Sequence, residues 1–298
     1  MADTRPTLSS ILSDDLLHSI APYLHPRDIS ALSLTSLRNY AQITSTPSIH
    51  RYTDLSSEPK PHSKQEDESP EVQRFLRCER LLSVTRTLVL DGTPVTLPQV
   101  QAILASPSSA ITILSLLGCK RVNELDLIEY LKTPGTPKPK GLYWFTLPAV
   151  AADASALATG SRFVRKPRHA KLTDWASALV ATLSSVCFDT RICRGARHDD
   201  EDGDGGPKIA TIALRGSCAG CRAMPDALVG LEPVLVAPAP LHSSTLRAAC
   251  KGPDGKAMAD CLRCEACARN RFCEGCGKWW CESCAVDKVR IPPNALGV

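Results

Sequence analysis

The sequence predicts a mixed α/β protein in three parts: an N-terminal helical hairpin, a short body of repeated β/α units and a cysteine-rich C-terminal module. Three observations carry this reading. Leu16, Ile20 and Leu24 recur at a spacing of four, a strand-like apolar alternation recurs after 26 residues in the middle of the chain, and ten of the 14 cysteines lie between residues 218 and 284.

Length and composition set the frame. With 298 residues, 43% of them apolar, the chain is long enough for about two domains of ~150 residues each. Its 23 prolines and only 4 Trp, 5 Tyr and 5 Phe point to much loop and an interior built from Leu, Val and Ala. The balance of 35 basic against 31 acidic residues offers no broad field for nucleic acid or an anionic membrane. Asp3, Arg5, Asp14 and Asp15 interrupt the N-terminus before any apolar stretch of secretory-signal length, so the expected location is cytoplasmic or nuclear, with reduced cysteines. The apolar runs 111–117 and 234–241 are too short, or contain Pro, to span a membrane, and a soluble protein is expected.

The N-terminal element comes from periodicity. Leu16, Ile20 and Leu24 form a helical stripe that Leu17 thickens, and Asp14 and Asp15 suit its N-terminus. Pro26 interrupts the chain, and Asp28 opens a second helix through Ile29, Leu32 and Leu34. A unit of this size buries too little surface to stand alone and is expected to dock on a partner. The run Leu12-Ser-Asp-Asp-Leu16-Leu17, Ile20, Tyr23-Leu24-x-Pro26-Arg27-Asp28-Ile29 and Leu32-Ser-Leu34-Thr-Ser36 resembles an F-box over residues 8–45. The resemblance implies that Leu12, Leu16, Leu17, Ile20, Leu24, Pro26, Ile29 and Leu32 meet a Skp-type adaptor that joins the chain to a cullin, with regions further along selecting a protein substrate.

Ser, Thr, Pro, Lys and Glu then crowd out apolar residues, and 46–70 reads as a disordered linker. The body spans 71–197. Laid over each other, Thr87–Gly92 and Ile113–Gly118 match at Leu88/Leu114, Leu90/Leu116 and Gly92/Gly118, each followed by a helix-like stretch at Leu97–Leu104 and Glu124–Leu131. Leu142–Phe145 offers a third strand 28 residues on, and Ile212–Gly216 a fourth, out of phase. A strand plus a helix in 26–28 residues resembles a leucine-rich repeat, and Leu114-Ser-Leu-Leu-Gly-Cys119-Lys-Arg-Val122-Asn123 resembles the cysteine-containing variety found in F-box proteins. That resemblance puts Cys119 at an internal position often held by Asn, as a buried structural thiol. Asp174–Val186 reads as one longer helix with Trp175, Leu179 and Leu183 on a face, and 198–206 as a solvated acidic, Gly-rich loop.

The last region, 207–290, is ordered by Cys261-x₂-Cys264-x₂-Cys267-x₅-Cys273-x₂-Cys276-x₄-Cys281-x₂-Cys284. A C-x₂-C knuckle sets two sulfurs on one side of a turn, and two knuckles complete a tetrahedral zinc site at ~2.3 Å. The spacing predicts two zinc ions held in crossed fashion. Cys264, Cys267, Cys281 and Cys284 surround one, and Cys218, Cys221, Cys273 and Cys276 the other, because the interval Cys267–Cys281 can carry a knuckle of its own. Eight thiolates around two Zn²⁺ reduce the formal charge of +4 to about zero. Cys250, Cys261 and His242 are left over as replacement ligands, foremost Cys261 for Cys264. Trp280-Cys281-x₂-Cys284 lacks the βαβ setting of a thioredoxin motif, Gly216-Ser217-Cys218 lacks a His partner for a protease, and the basic loop of a fungal binuclear cluster is missing. The spacing is similar to MYND and RING modules, and the tail to the Cys-rich ends of F-box proteins from filamentous fungi. No Cys-x-His step follows Cys250, which favours a structural or peptide-binding module over a RING ligase. Trp279 and Trp280 pack beside the metal or form a recognition surface.

The reading is therefore a non-enzymatic substrate receptor of an SCF-type ubiquitin ligase with two zinc ions, a Skp-type adaptor and cullin as partners, and no nucleic acid or membrane. A direct RING-like ligase and a zinc-dependent transcription regulator are the alternatives.

Overall fold

A computed structural model describes residues 14–56, 70–145, 163–165, 172–182, 184–193, 195, 198, 206–214, 217–222, 234–235, 246–250, 261–269, 271–273, 278–281 and 284. They fall in two compact units. One holds the described residues up to Leu127, with Pro134–Trp144 and the segment ending at Ala249; the other holds Ile128–Thr133, the described residues from Phe145 to Leu235, and those from Cys250 onward.

The first unit begins with three short helices, α1 (Asp14–Ile20), α2 (Pro26–Ser33) and α3 (Leu37–Ser45). The His25 ring accepts the Arg27 N–H at 3.2 Å, and Pro26 stands where a helix has no use for an N–H. Ser36 caps α3 by accepting from the Asn39 N–H at 3.1 Å. The helices meet over Leu17, Ala21, Ile29, Ile43 and Ile49, with Ile20, Leu24 and Leu32 packed alongside.

The expected linker begins later than the composition suggested. Residues 47–51 form a 3₁₀ turn whose Ile49 joins the helical core, and Tyr52–Asp54 is strand β1. Two apolar anchors, Tyr52 and Leu55, outweigh the polar surroundings because both are buried. The Thr53 and Thr85 hydroxyls lie 3.1 Å apart, and each donates to the His50 carbonyl, so the buried strand end has its polar groups paired. The expectation of disorder at 57–69 lies outside the described residues.

Helices α4 (Pro70–Leu76) and α5 (Glu79–Val84) lead into β2 (Thr87–Val89), α6 (Leu97–Ala105), β3 (Ile113–Ser115), α7 (Glu124–Lys132) and β4 (Gly141–Tyr143). Arg27 on α2 pairs with Glu71 on α4, and the Arg80 guanidinium donates to the Thr44 carbonyl. β1 to β4 are parallel neighbours in one sheet, in that order, with Leu88 opposite Leu114 and Leu114 opposite Leu142. The strand-then-helix alternation at 26 and 28 residues is thus present. All three residues of β2, β3 and β4 are buried, so each strand is covered on both faces.

Adjacent units are joined by more than the ladder. Asp91 accepts from the Ser115 hydroxyl at 2.6 Å and the Leu117 N–H at 2.9 Å, and the Cys119 thiol donates to the Leu90 carbonyl at 3.0 Å. Burial pushes the Cys119 pKa up to about 12, so it stays a neutral donor. Gly92 and Gly118 repeat the same left-handed turn, with φ of 68° and 70°, one above the other.

In the second unit β5 (Phe163–Arg165) precedes α8 (Leu172–Thr182), β6 (Cys187–Phe188), β7 (Ile212–Leu214) and, beyond α9 (Leu246–Ala249), β8 (Cys261–Arg263), α10 (Glu265–Arg269), β9 (Phe272–Cys273) and β10 (Lys278–Trp279). Trp175 and Leu179 of α8 are buried as its spacing implied; Leu183 lies outside the described residues. Trp175 packs edge-on against Phe145 at 5.1 Å and Phe188 at 6.3 Å. The buried Asp189 carboxylate takes the Phe145 N–H at 3.0 and 3.1 Å. Ile212–Leu214, expected to extend the repeat, instead forms the middle of a separate antiparallel sheet, β5-β7-β8. Three apolar residues specify a strand but not its partner, and here both neighbours come from the same unit.

Leu114 lies at the centre of the parallel ladder, flanked by Leu88 and Leu142. Leu114→Ala should lower stability by about 2–5 kcal/mol, read as an early urea midpoint, because it opens a cavity where nothing can relax. Val180→Ala, on the exposed side of α8, should change it by less than about 0.5 kcal/mol.

Candidate metal centres

Two groups of soft donors converge in the second unit: Cys218, Cys221, Cys281 and Cys284, and Cys193, His198, Cys264 and Cys267. Within each, all four ligand atoms lie within 4.8 Å of one another. Ligands around a tetrahedral ion with ~2.3 Å metal–sulfur bonds stand about 3.5–3.8 Å apart. The Cys221 and Cys281 sulfurs are 3.7 Å apart, and the His198 Nε2 is 3.2 Å from Cys264 Sγ and 3.3 Å from Cys267 Sγ. The side chains fit a single ion at each place. Thiolate and imidazole donors suit a soft or borderline cation.

The strands decide which ligands meet. In the β7–β8 ladder Leu214 lies opposite Cys261 and Ile212 opposite Arg263. The chain leaves β7 at the Leu214 end and reaches the Cys218 knuckle; it leaves β8 at the Ile212 end and reaches Cys264. At about 3.4 Å per residue the two knuckles therefore emerge from opposite ends of the ladder. The Ile192–Ile209 antiparallel bridge, with the Cys193 N–H donating to the Lys208 carbonyl at 2.7 Å, carries Cys193 to the Cys264 end. At the other end, the Ala219 N–H donates to the Trp279 carbonyl at 2.8 Å and brings in Cys281 and Cys284 beyond β10.

In each centre one sulfur is favoured as the thiolate, Cys218 in one and Cys264 in the other, while burial pushes Cys281 and Cys267 up. Cys218 Sγ accepts the Gly220 N–H at 3.3 Å and the Cys281 N–H at 3.2 Å. Burial works against the Cys218 anion, but the backbone N–H groups of Cys281, Cys221 and Gly220 prevail and bring its pKa down to about 6. A hydrogen bond from the Cys193 thiol, opposed by burial and aided by the Cys267 backbone and His198, brings Cys264 down to about 4, while Cys193 is pushed up in return. Buried Arg271 adds a positive charge beside Cys267. The backbone comes close as well. A Cβ on Gly220 would stand 2.8 Å from Cys284 Sγ, and one on Gly195 would meet Cys267, 3.0 Å from its Cβ. Arg222 closes the first knuckle at φ 59°.

The grouping corrects the pairing expected from spacing. Six of the eight predicted ligands take part, but Cys264 and Cys267 do not share a centre with Cys281 and Cys284, because the ladder separates those pairs, and Cys273 does not join Cys218 and Cys221. Cys273 belongs to neither group among the described residues, and Cys276 and His242 lie outside them, as does the Cys261 side chain. Cys264 is itself a member, so no substitute for it is needed, and Cys250 joins neither group. Cys193 and His198 were missed. His198 opens the acidic run that reads as a solvated loop, although Cys193-x₄-His198 is a ligand-like interval. Trp279 is buried among Ile212, Leu214, Cys218 and Ala268, which settles its role as packing beside the centre; Trp280 is half-buried against the same cluster.

Elemental analysis of the purified chain should return two metal ions, and Cys193→Ser or His198→Ala should each reduce this to one, whereas Cys273→Ser should leave two. The pairing by spacing would give the reverse order. Gly195→Ala should lose the same ion as Cys193→Ser, since its new methyl occupies the place of Cys267.

Neither a protein-family model nor a curated protein matches this chain, so the two centres rest on donor chemistry and geometry alone.

Proposed function

We propose that the protein is a non-catalytic F-box subunit of an SCF-type ubiquitin ligase, in which the N-terminal helices bind a Skp-type adaptor and leucine-rich-repeat-like units precede a C-terminal module stapled by two zinc ions. The observation that carries this is the number of large apolar side chains that the helical module leaves exposed. Its inner residues already fill a core, yet Leu34 is 81% exposed, Leu37 89% and Tyr40 53%, with Leu16 and Tyr23 exposed as well. Such a concentration of large apolar side chains on a small module marks a protein-binding surface.

The same pattern refines which residues make that contact. Leu17 and Ile29 are internal and hold the helices together, while Ile20, Leu24 and Leu32 pack against them and stay partly exposed. Leu16 remains at the surface, Pro26 is partly covered, and Leu12 lies outside the described residues. The zinc reading is supported by four-ligand groups of thiolate and imidazole, a donor set that closed structural zinc sites use. With all four positions taken by protein, neither centre leaves room for a substrate, which favours a scaffold over an enzyme. No helix among the described residues is long and apolar enough to cross a membrane.

Full-length protein carrying Leu34→Asp and Leu37→Asp should lose co-purification with the adaptor and cullin, with metal content and melting temperature at wild-type values because both side chains are exposed. Adaptor binding at undiminished strength would contradict the assignment.

A further inference from the structure

The parallel strands of the first unit begin on a row of cations. Arg51 directly precedes β1, Arg86 precedes β2, Thr112 precedes β3 and Lys140 precedes β4. Because Tyr52 lies opposite Thr87, Thr87 opposite Ile113 and Ile113 opposite Gly141, these four positions stand side by side. The ladder runs on through them. The Arg86 N–H donates to the Arg51 carbonyl at 2.8 Å, and at 2.9 Å the Thr112 N–H donates to the Arg86 carbonyl and the Gly141 N–H to the Thr112 carbonyl. Neighbouring strands are about 4.8 Å apart, so the row from Arg51 to Lys140 covers roughly 14 Å.

The charge of this rim has one sign. Arg51, Arg86 and Lys140 are exposed. The described segments that lead into the strands, 46–51, 84–86, 106–112 and 134–140, hold no Asp or Glu, and the last adds Lys138. Asp54 ends β1 and Asp91 follows β2, so both lie at the far side of the ladder. Arg80, held on the Thr44 carbonyl, puts a further charge near Arg51: burial, and after it the Arg80 charge, lowers the pKa of the neighbouring His50. Glu79 adjoins Arg80 in sequence. The Arg86 guanidinium donates to the Ala110 carbonyl at 3.1 Å and the Thr112 hydroxyl to the Arg86 carbonyl at 3.1 Å, which fixes the middle of the row before any partner arrives.

We propose that this strand-entry rim is a docking surface for an extended segment of a partner protein that carries Asp or Glu at alternate positions. An extended peptide advances about 3.4 Å per residue and turns alternate side chains to one side, so acids at i, i+2 and i+4 span about 14 Å, the length of the row. The cations stand in line rather than converging on one point, an arrangement that suits several singly charged carboxylates better than one phosphate. The four entering segments hold no Phe, Tyr or Trp on which a base could stack, which disfavours single-stranded nucleic acid.

The proposal stands whether or not the N-terminal helices bind an adaptor. Its test is fluorescence anisotropy of the full-length, metal-loaded protein with a labelled peptide carrying Glu at alternate positions. The comparison probes are its Gln counterpart, a peptide with one phosphoserine and oligodeoxythymidylate, together with co-sedimentation on phosphatidylserine vesicles. The Glu peptide is expected to bind and the Gln peptide not, with affinity falling as NaCl is raised. Arg51→Glu and Lys140→Glu should each weaken binding about fivefold or more, with metal content and melting temperature unchanged because both side chains are exposed. Lys120→Glu, the same charge change on an exposed residue beyond the other end of β3, should leave affinity at the wild-type value. Failure of the Glu peptide to bind would overturn the proposal, and so would an equal loss in Lys120→Glu, which would make the effect one of net charge. Tighter binding of the phosphoserine peptide, the oligonucleotide or the vesicles than of the Glu peptide would overturn it as well.

Discussion

Three residue pairs of antiparallel ladder, Ile212 to Leu214 against Cys261 to Arg263, govern the cysteine-rich half of the protein. A strand pair is stiff along its length, and knuckles attached to its two ends cannot converge on one ion. The ladder thereby forces each knuckle to find ligands elsewhere. At one end these come from the turn after β10, and at the other from the segment bridged through Ile192 and Ile209. An ion at each centre would then fasten segments that come from distant parts of the chain.

Such fastening suits the composition of that half. Its apolar clusters are small: Ile212, Leu214, Cys218, Ala268 and Trp279 in one, Ala210, Val234 and Leu262 in another. A third consists of Cys193, Cys264 and Cys267 themselves. With sulfur lining so much of the core, metal coordination would add folding energy that the small apolar clusters do not supply. Arg191, Arg263 and Arg271 are buried in the same region, and Arg271 places its positive charge beside Cys267. The other half is built in the opposite manner, from Leu and Ile stacked along parallel strands with hydrogen bonds from Asp91 and Cys119 between successive units.

What could be read from the chain divides along the same line. The repeat was legible because each unit contacts the next at fixed spacing, so Leu88, Leu114 and Leu142 carry their register in their sequence separation. β1 was not, since it stands 35 residues before β2 next to a polar stretch, and only the buried Tyr52 and Leu55 mark it. The knuckles were legible as local turns, but which knuckle meets which is fixed by strand pairing across long intervals, about which spacing says nothing. His198 was hidden by the acidic run beside it. In the helical module periodicity located the apolar residues but could not separate Leu17 and Ile29, which face inward, from Leu34, which faces out.

The central claim is that the chain holds one all-sulfur centre and one of three sulfurs and a nitrogen. Cadmium NMR of the cadmium-substituted protein addresses it directly, because replacing a thiolate by an imidazole moves the metal resonance upfield. The account predicts two resonances of equal intensity, one in the four-thiolate range and one upfield of it that couples to the His198 ring. Two resonances both in the four-thiolate range, with no coupling to histidine, would contradict it.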